Sequence, residues 1–332
     1  MRNFQLAGDI GGTKTTLAII DPEAGPRVFL DKATFTSRDF HSLGEIVEQF
    51  LKVKNRKVTR ASFGIAGPIV DGHVQATNLP WFIEEDKLSE QLRIPVKLIN
   101  DLTATAHAVP FLSGGDKLAL NSGLDVKNGT LAVVAPGTGL GEAYLSWGGN
   151  RYRAYPSEGG HSDFAPTNPL QLRLLEFLSR RFEHVSYERV CSGSGLPNLY
   201  SFLKDEGAIT EPAWLQDQIA KGLDPAPVIT KAALDGTADI AVATLDLFAA
   251  ILGAEAGNLV LRVLANGGVY LGGGIPPRIA PILKKGPFLK SFLNKGRFSN
   301  HLTSVPVYII LNPEAALIGA ACYGLEMDPD HD

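Results

Sequence analysis

The chain has 332 residues, 45% hydrophobic and 20% charged, enough for about two domains with cores of their own and too apolar for a disordered polymer. Its 31 basic and 35 acidic residues leave a net charge of −4, which favours neither nucleic acid nor an anionic membrane as a partner. Two cysteines, Cys191 and Cys322, form no C-x-x-C pattern, so a reducing, cytoplasmic setting is expected rather than a disulfide framework or a zinc site.

The N-terminal MRNFQLAGD offers no apolar stretch long enough for a signal peptide. LAGDIGGTKTTLAII, residues 6–20, reads as a hairpin, with strands at Phe4–Leu6 and Leu17–Ile20 and a reversal at Gly11-Gly12. Neither the Walker pattern nor G-x-G-x-x-G is present, so neither common phosphate loop explains it. Ser42–Leu51 has helical periodicity, and Ala61–Ile65 reads as a strand leading into the turn Gly67-Pro68. Val96–Ile99 is a short strand stopped by Asn100-Asp101, followed by a helix through LTATAHAV that ends before Pro110. On one reading the Asn100-Asp101 junction is a helix cap. On another, Asp101 points from the C-terminal end of a strand into a cleft, and both hold if Asn100 does the capping. Strands alternating with helices predict an α/β layer structure.

From Leu131 the run LAVVAPGTGLGEAYL repeats the opening plan of strand, glycine turn with a threonine, and strand. Two copies predict two related domains facing each other, each offering a glycine turn. In PSEGGHSDFAP, residues 156–166, two glycines let Glu158 and His161 point the same way. That stretch reads as a polar loop or as an acceptor and donor set for a ligand rich in hydroxyls; metal ligation by His161 and Asp163 is disfavoured by the lack of further ligands at metal spacing. Glu188 is expected in the first turn of a short helix starting near Ser186, where the helix dipole favours an acid in any case. The apolar stretch Ile240–Val263 carries Asp246, Glu255 and Arg262, which suits a buried helix better than a membrane span. VYLGGGIPPRIAPIL, from Val269, predicts a strand, a glycine turn and a helix whose first turn takes Pro276 and Pro277. The backbone N–H groups there can approach a nucleotide, or the glycines can simply make a tight connection. A strand at Val305–Leu311 then leads into NPEAALIGAACYG, a helix with a small-residue face that returns the chain to its first domain. The terminal DPDHD carries no lipidation or peroxisomal signal.

Taken in order, LAGDIGGTKT, FGIAGP, TNLPW, INDLTA, APGTGLG, SEGGHSDFAP, YERVCSGSGLPNLY and YLGGGIPPR resemble the bacterial-type ATP-dependent glucokinases of the sugar kinase, actin and Hsp70 superfamily. The resemblance runs from about residue 5 to 324. It implies an α/β, two-domain actin-like ATPase (ribonuclease H-like) fold with the active site in the interdomain cleft. The small domain is expected over 1–110 plus about 301–332, and the large one over 111–300. The implied activity is phosphorylation of D-glucose at the 6-hydroxyl by ATP and Mg²⁺, the first step of glycolysis, with Asp101 as general base. For ATP the resemblance implies Gly8, Asp9, Ile10, Gly11, Gly12 and Thr13 from the first hairpin, Gly137 and Thr138 from its repeat, and Gly273. Asp9 is implied to hold Mg²⁺ through water. Asn100 and Asp101 are implied for the 3-, 4- and 6-hydroxyls of glucose, and Glu158, His161 and Glu188 for its 1- and 2-hydroxyl side. A homodimer is also implied. The chain departs from the pattern at Ser157, often Gly in relatives, and at Lys14, often Asn. The cysteine-rich zinc motif of the related repressor, open reading frame and kinase family is absent, which places the chain in the zinc-free branch. A broader hexose kinase, a non-catalytic sugar sensor, and ADP or polyphosphate as donor remain as alternatives.

Overall fold

The computed structural model describes residues 3–54, 56–222 and 224–326; the terminal DPDHD lies outside them. The chain forms two compact units. The first comprises Met1–Asp116, Gly148–Tyr155 and Asn312–Asp332, and the second Lys117–Trp147 and Pro156–Leu311. The last strand belongs to the second unit, so the chain re-enters the first at Asn312 rather than near residue 301. Gly148–Tyr155 groups with the first unit, although the strand Tyr152–Ser157 forms the edge of the second unit's six-stranded sheet beside Leu140–Trp147.

In the first unit, β1 (Phe4–Ile10) and β2 (Lys14–Ile20) form the expected hairpin, and β3 (Phe29–Thr36) extends it antiparallel. On the other side of β1 lie β4 (Val58–Ile65) and then β5 (Val96–Asn100), both parallel, giving the order β3-β2-β1-β4-β5. Central strands bury both faces, and in β1 and β4 the residues 5–8 and 61–65 are buried without interruption. One face packs Leu6, Leu17, Ile19 and Phe63 against Leu43, Ile46, Val47 and Phe50 of the helix Leu43–Lys54. On Ala7, Ala18 and Ile20 lies the helix Ala315–Leu325, through Leu317, Ala320 and Ala321. That helix also presses on the helix Asp101–Ala108, because a side chain at Gly319 would overlap the Ala104 backbone. Gln5 Nε2 donates to the Ala321 carbonyl at 2.9 Å and Ser62 Oγ to that of Ala320 at 2.6 Å, tying the C-terminal helix to β1 and β4.

The second unit carries β6 (Lys117–Ala119), β7 (Leu131–Pro136), β8 (Leu140–Trp147), β9 (Gly268–Leu271) and β10 (Val307–Ile310). Strands β7 and β8 form the second hairpin, β9 runs parallel to β7, β10 runs parallel to β9, and β6 closes the edge antiparallel. An antiparallel hairpin followed by two parallel strands is the plan of the first unit too, so the repeat seen in sequence is a repeat of topology. The helix Asp239–Val263 is long and apolar enough to cross a membrane, but 78% of its most apolar stretch is buried against the unit's own core, as expected of an internal helix.

One element differs from its expectation. Pro276 and Pro277 lie in a turn closed by Arg278 and Ile279 N–H groups on the Ile275 carbonyl, and the helix proper is only Ala280–Leu283. Prolines at 276, 277 and 281 supply no N–H donors, so a longer helix cannot propagate from there.

Candidate active site

In the first unit the β1–β2 turn is braced rather than free. Gly11 N–H bonds the Lys14 carbonyl at 2.9 Å, Ser37 Oγ donates to the Gly11 carbonyl at 2.7 Å, and Ser37 N–H bonds the Thr13 carbonyl at 3.0 Å. A side chain at Gly12 would come within 2.9 Å of Asn78 Cβ, so the TNLPW loop packs directly on the turn. Among the described residues the Gly12 and Thr13 N–H groups bond no protein carbonyl, and successive unpaired N–H groups suit an anion. Gly8 and Ile10 serve this turn differently: Gly8 admits the Phe63 ring and the Leu17 side chain beside β1, and Ile10 is buried in the core. Ser37 and Asn78 reach the turn only through tertiary folding, so no local pattern in the sequence marks their contact with it.

The register aligns Ile10 with Ile65 and Ile65 with Asn100, so β1 and β5 end together and bring Asp9 and Asp101 to one end of the sheet. Asn100 caps the helix Asp101–Ala108: its Oδ1 accepts from Leu102 N–H at 3.0 Å and Thr103 N–H at 3.3 Å, while Nδ2 donates to the Gly67 carbonyl at 3.0 Å. Asn100 therefore does the capping. Asp101 Oδ1 accepts from Leu102 N–H at 2.9 Å. Burial raises the Asp101 carboxyl above its ordinary range, opposed by hydrogen bonds from backbone N–H groups. Asp9 is pushed up to about 6, first by burial and then by the negative charge of Asp101. Two carboxylates so placed repel each other, and a cation beside Asp9 relieves both effects.

In the second unit the β7–β8 turn is closed by Gly137 N–H on the Gly139 carbonyl at 2.8 Å, and the Gly137 carbonyl accepts from Gly193 N–H at 2.8 Å. Thr138 is exposed at its tip. Gly273 lies beside this hairpin with φ +78°, and a Cβ there would sit 2.5 Å from the Pro136 carbonyl oxygen, so position and conformation both require glycine. The loop Gly159–His161 is a short 3₁₀ turn, and Glu188 N–H bonds the Gly160 carbonyl at 2.8 Å. His161 consequently stands between two acids: Nε2 lies 3.8 Å from Glu158 Oε2 and Nδ1 lies 3.9 Å from Glu188 Oε1. The Glu158 and His161 side chains are 86% and 59% exposed, open to a ligand, whereas Glu188 is held by Leu140 N–H on its Oε2 at 2.9 Å.

One expectation changes here. Glu188 is not in a helix: residues 187–190 form a turn, and the next helix starts at Leu196, so Glu188 is placed by Gly160 and Leu140 rather than by a helix dipole. Asp163 pairs with His184 at 2.8 Å.

Known proteins resemble the chain along its whole length. The family model described as Glucokinase matches residues 6–327. A glucokinase of Trichormus variabilis is 41% identical over 332 aligned residues, covering 95% of this chain and 97% of that protein. A crystal structure of glucokinase from an Antarctic psychrotroph superposes with a TM-score of 0.86 at 34% identity, covering 98% of this chain and 99% of its own. The glucokinase of Balamuthia mandrillaris, crystallised in complex with glucose, shares the fold with a TM-score of 0.79 at 22% identity, covering 98% of this chain and 94% of that one.

Proposed function

The chain belongs to the glucokinase family, and from that premise we propose that it transfers the γ-phosphoryl group of ATP to the 6-hydroxyl of D-glucose, with Asp101 as the general base. The observation that carries the role of Asp101 is its place at the junction of β5 and its helix: a half-buried carboxylate, fixed by backbone N–H groups and adjacent to Asp9. Phosphoryl transfer through a loose transition state needs alignment and charge neutralisation more than covalent help. A carboxylate whose proton affinity is raised by burial is the better acceptor for the hydroxyl proton as the oxygen bonds to phosphorus.

Asn100 Nδ2 has one hydrogen beyond its bond to Gly67 and can give it to a sugar oxygen beside the base. Glu158, His161 and Glu188 supply acceptors and a donor for the hydroxyls at C1 and C2. The Gly12 and Thr13 N–H groups, the turn at Gly137 and Thr138, and Gly273 bind the nucleotide. Asp9 fits Mg²⁺ as a single carboxylate beside that of Asp101, since such an ion is held largely by water and phosphate oxygens. When bound, Mg²⁺ neutralises charge on the phosphate oxygens. A cytoplasmic, glycolytic role accords with two buried free cysteines, and the resemblance supports a homodimer, which light scattering on the purified protein tests.

The deciding experiment is a coupled assay of glucose 6-phosphate formation over a panel of hexoses with ATP, ADP and polyphosphate. Glucose with ATP and Mg²⁺ is expected to give the highest kcat/KM. Failure of every sugar and donor pair would defeat the enzymatic reading.

A further inference from the structure

Glu142, in β8, is fully buried, and neither of its carboxylate oxygens accepts a hydrogen bond. An ion in that position is costly unless paired or neutralised by a proton. The helix Asp239–Val263 presents a second wholly buried acid, Glu255, whose oxygens are already taken by Arg262 Nη1 at 2.5 Å and Asn258 Nδ2 at 2.9 Å. Asn258 also donates to Tyr187 Oη at 3.0 Å and accepts from Lys295 Nζ at 2.5 Å, and the buried Cys191 thiol feels both acids. Arg262 serves Glu255, and Lys295 serves Asn258 and the Ala254 carbonyl. Glu142 is therefore the member of the pair that keeps a proton: burial first, and then the charge of Glu255, push it up to about 8 against the pull of Arg262. Protonated, it gains a proton to offer the neighbouring Glu255, and no buried ion is left unpaired.

This carboxyl lies directly beneath the loop that carries Glu158 and His161. A side chain at Gly159 would overlap Glu142 Oε2, and the same turn is closed by Gly159 N–H on Ser157 Oγ at 3.0 Å. Residue 140 of the same strand holds Glu188 through its N–H. One strand thus underlies all three residues assigned to the C1 and C2 side of the sugar.

We propose that Glu142 is a positioning residue for glucose: as a neutral acid beside Glu255 it supports the Gly159 turn that aims Glu158 and His161, and its ionisation withdraws that support. The proposal rests on the glucokinase reading. Its test is the KM for glucose and the kcat at saturating ATP, from pH 6.5 to 9.5, for the wild type and Glu142→Gln. The wild-type KM is expected to climb above about pH 8, by up to about tenfold per pH unit, with kcat nearly level. Glutamine is neutral throughout, so its KM should stay flat across the range. An alkaline climb that persists in Glu142→Gln, or a flat wild-type profile, overturns the proposal while leaving glucokinase activity intact. A wild type that phosphorylates no sugar at any pH defeats the activity and this proposal together. If Glu142→Gln fails to give a native circular dichroism spectrum, Glu255→Gln serves instead. Removing the neighbouring charge lowers the proton affinity of Glu142, so the climb must move to lower pH, and an unmoved climb overturns the proposal.

Discussion

At the residue scale, the proposed chemistry turns on two acids that one sheet end forces together. Asp101→Ala removes the proposed proton acceptor but not the Asn100 cap, so kcat is expected to fall by about 10²–10⁴ with the unfolding temperature nearly unchanged; a coupled assay beside a thermal melt checks both halves. Asp9 makes the opposite kind of prediction. Its carboxyl stands at about 6 in the folded chain against 3.8 for the unperturbed group, so the native state binds a proton more readily than the unfolded one. The stabilisation from protonation is complete below about pH 4 and is lost as pH rises through about 6, leaving the ionised, ligand-free protein weaker by on the order of 3 kcal/mol. Asp9→Asn should therefore raise the melting temperature of the ligand-free chain at pH 7.5, erase part of the gain that the wild type shows between pH 7 and pH 5, and impair turnover. Melting curves that are parallel in pH for the two proteins would contradict this account of Asp9.

At the scale of elements, the helix bearing Asp101 depends on the end of the chain. Gly319 is the point where the helix Ala315–Leu325 meets the Ala104 backbone, and no side chain fits there. Gly319→Val should drive the two helices apart, cost about 2–4 kcal/mol in chemical denaturation, and lower kcat because the Asp101 helix loses its backing. Ser37→Ala is a milder change that frees the Gly11 carbonyl and is expected to raise the KM for ATP more than that for glucose. The range of the forces involved decides which of these features are legible in sequence. Both hairpins, the Asn100 cap and the buried helix are readable because glycine turns, a strand-to-helix junction and apolar runs are local signals. The turn around Glu188 is not, because its conformation is set by Gly160 and Leu140, far away along the chain. Nor are the bracing of the first hairpin by Ser37 and the burial of Glu142, which in sequence looks like any polar residue of a hairpin. The helix after Gly273 is shorter than its sequence suggests because prolines suited to a first helical turn also deprive the next turn of donors.

At the scale of the whole molecule, the repeated topology divides the residues proposed to recognise the sugar between two structural units: Asn100 and Asp101 in one, Glu158, His161 and Glu188 in the other. That division gives the assignment a test that no single variant supplies. A site built to bond a hydroxyl rejects an analogue that leaves its polar groups unpaired, so discrimination at C2 should reside in the second unit alone. His161→Ala and Glu188→Gln are expected to narrow the ratio of kcat/KM between glucose and its C2 epimer mannose by about tenfold or more, chiefly by weakening glucose. Asn100→Ala, acting on the opposite edge of the ring and on the helix cap, should depress both sugars by similar factors and leave that ratio within about twofold. If Asn100→Ala shifts the glucose-to-mannose ratio as far as His161→Ala does, the two residue sets do not read separate edges of the sugar. The placement of C1 and C2 against Glu158, His161 and Glu188 would then have to be abandoned, even with the phosphorylation itself upheld.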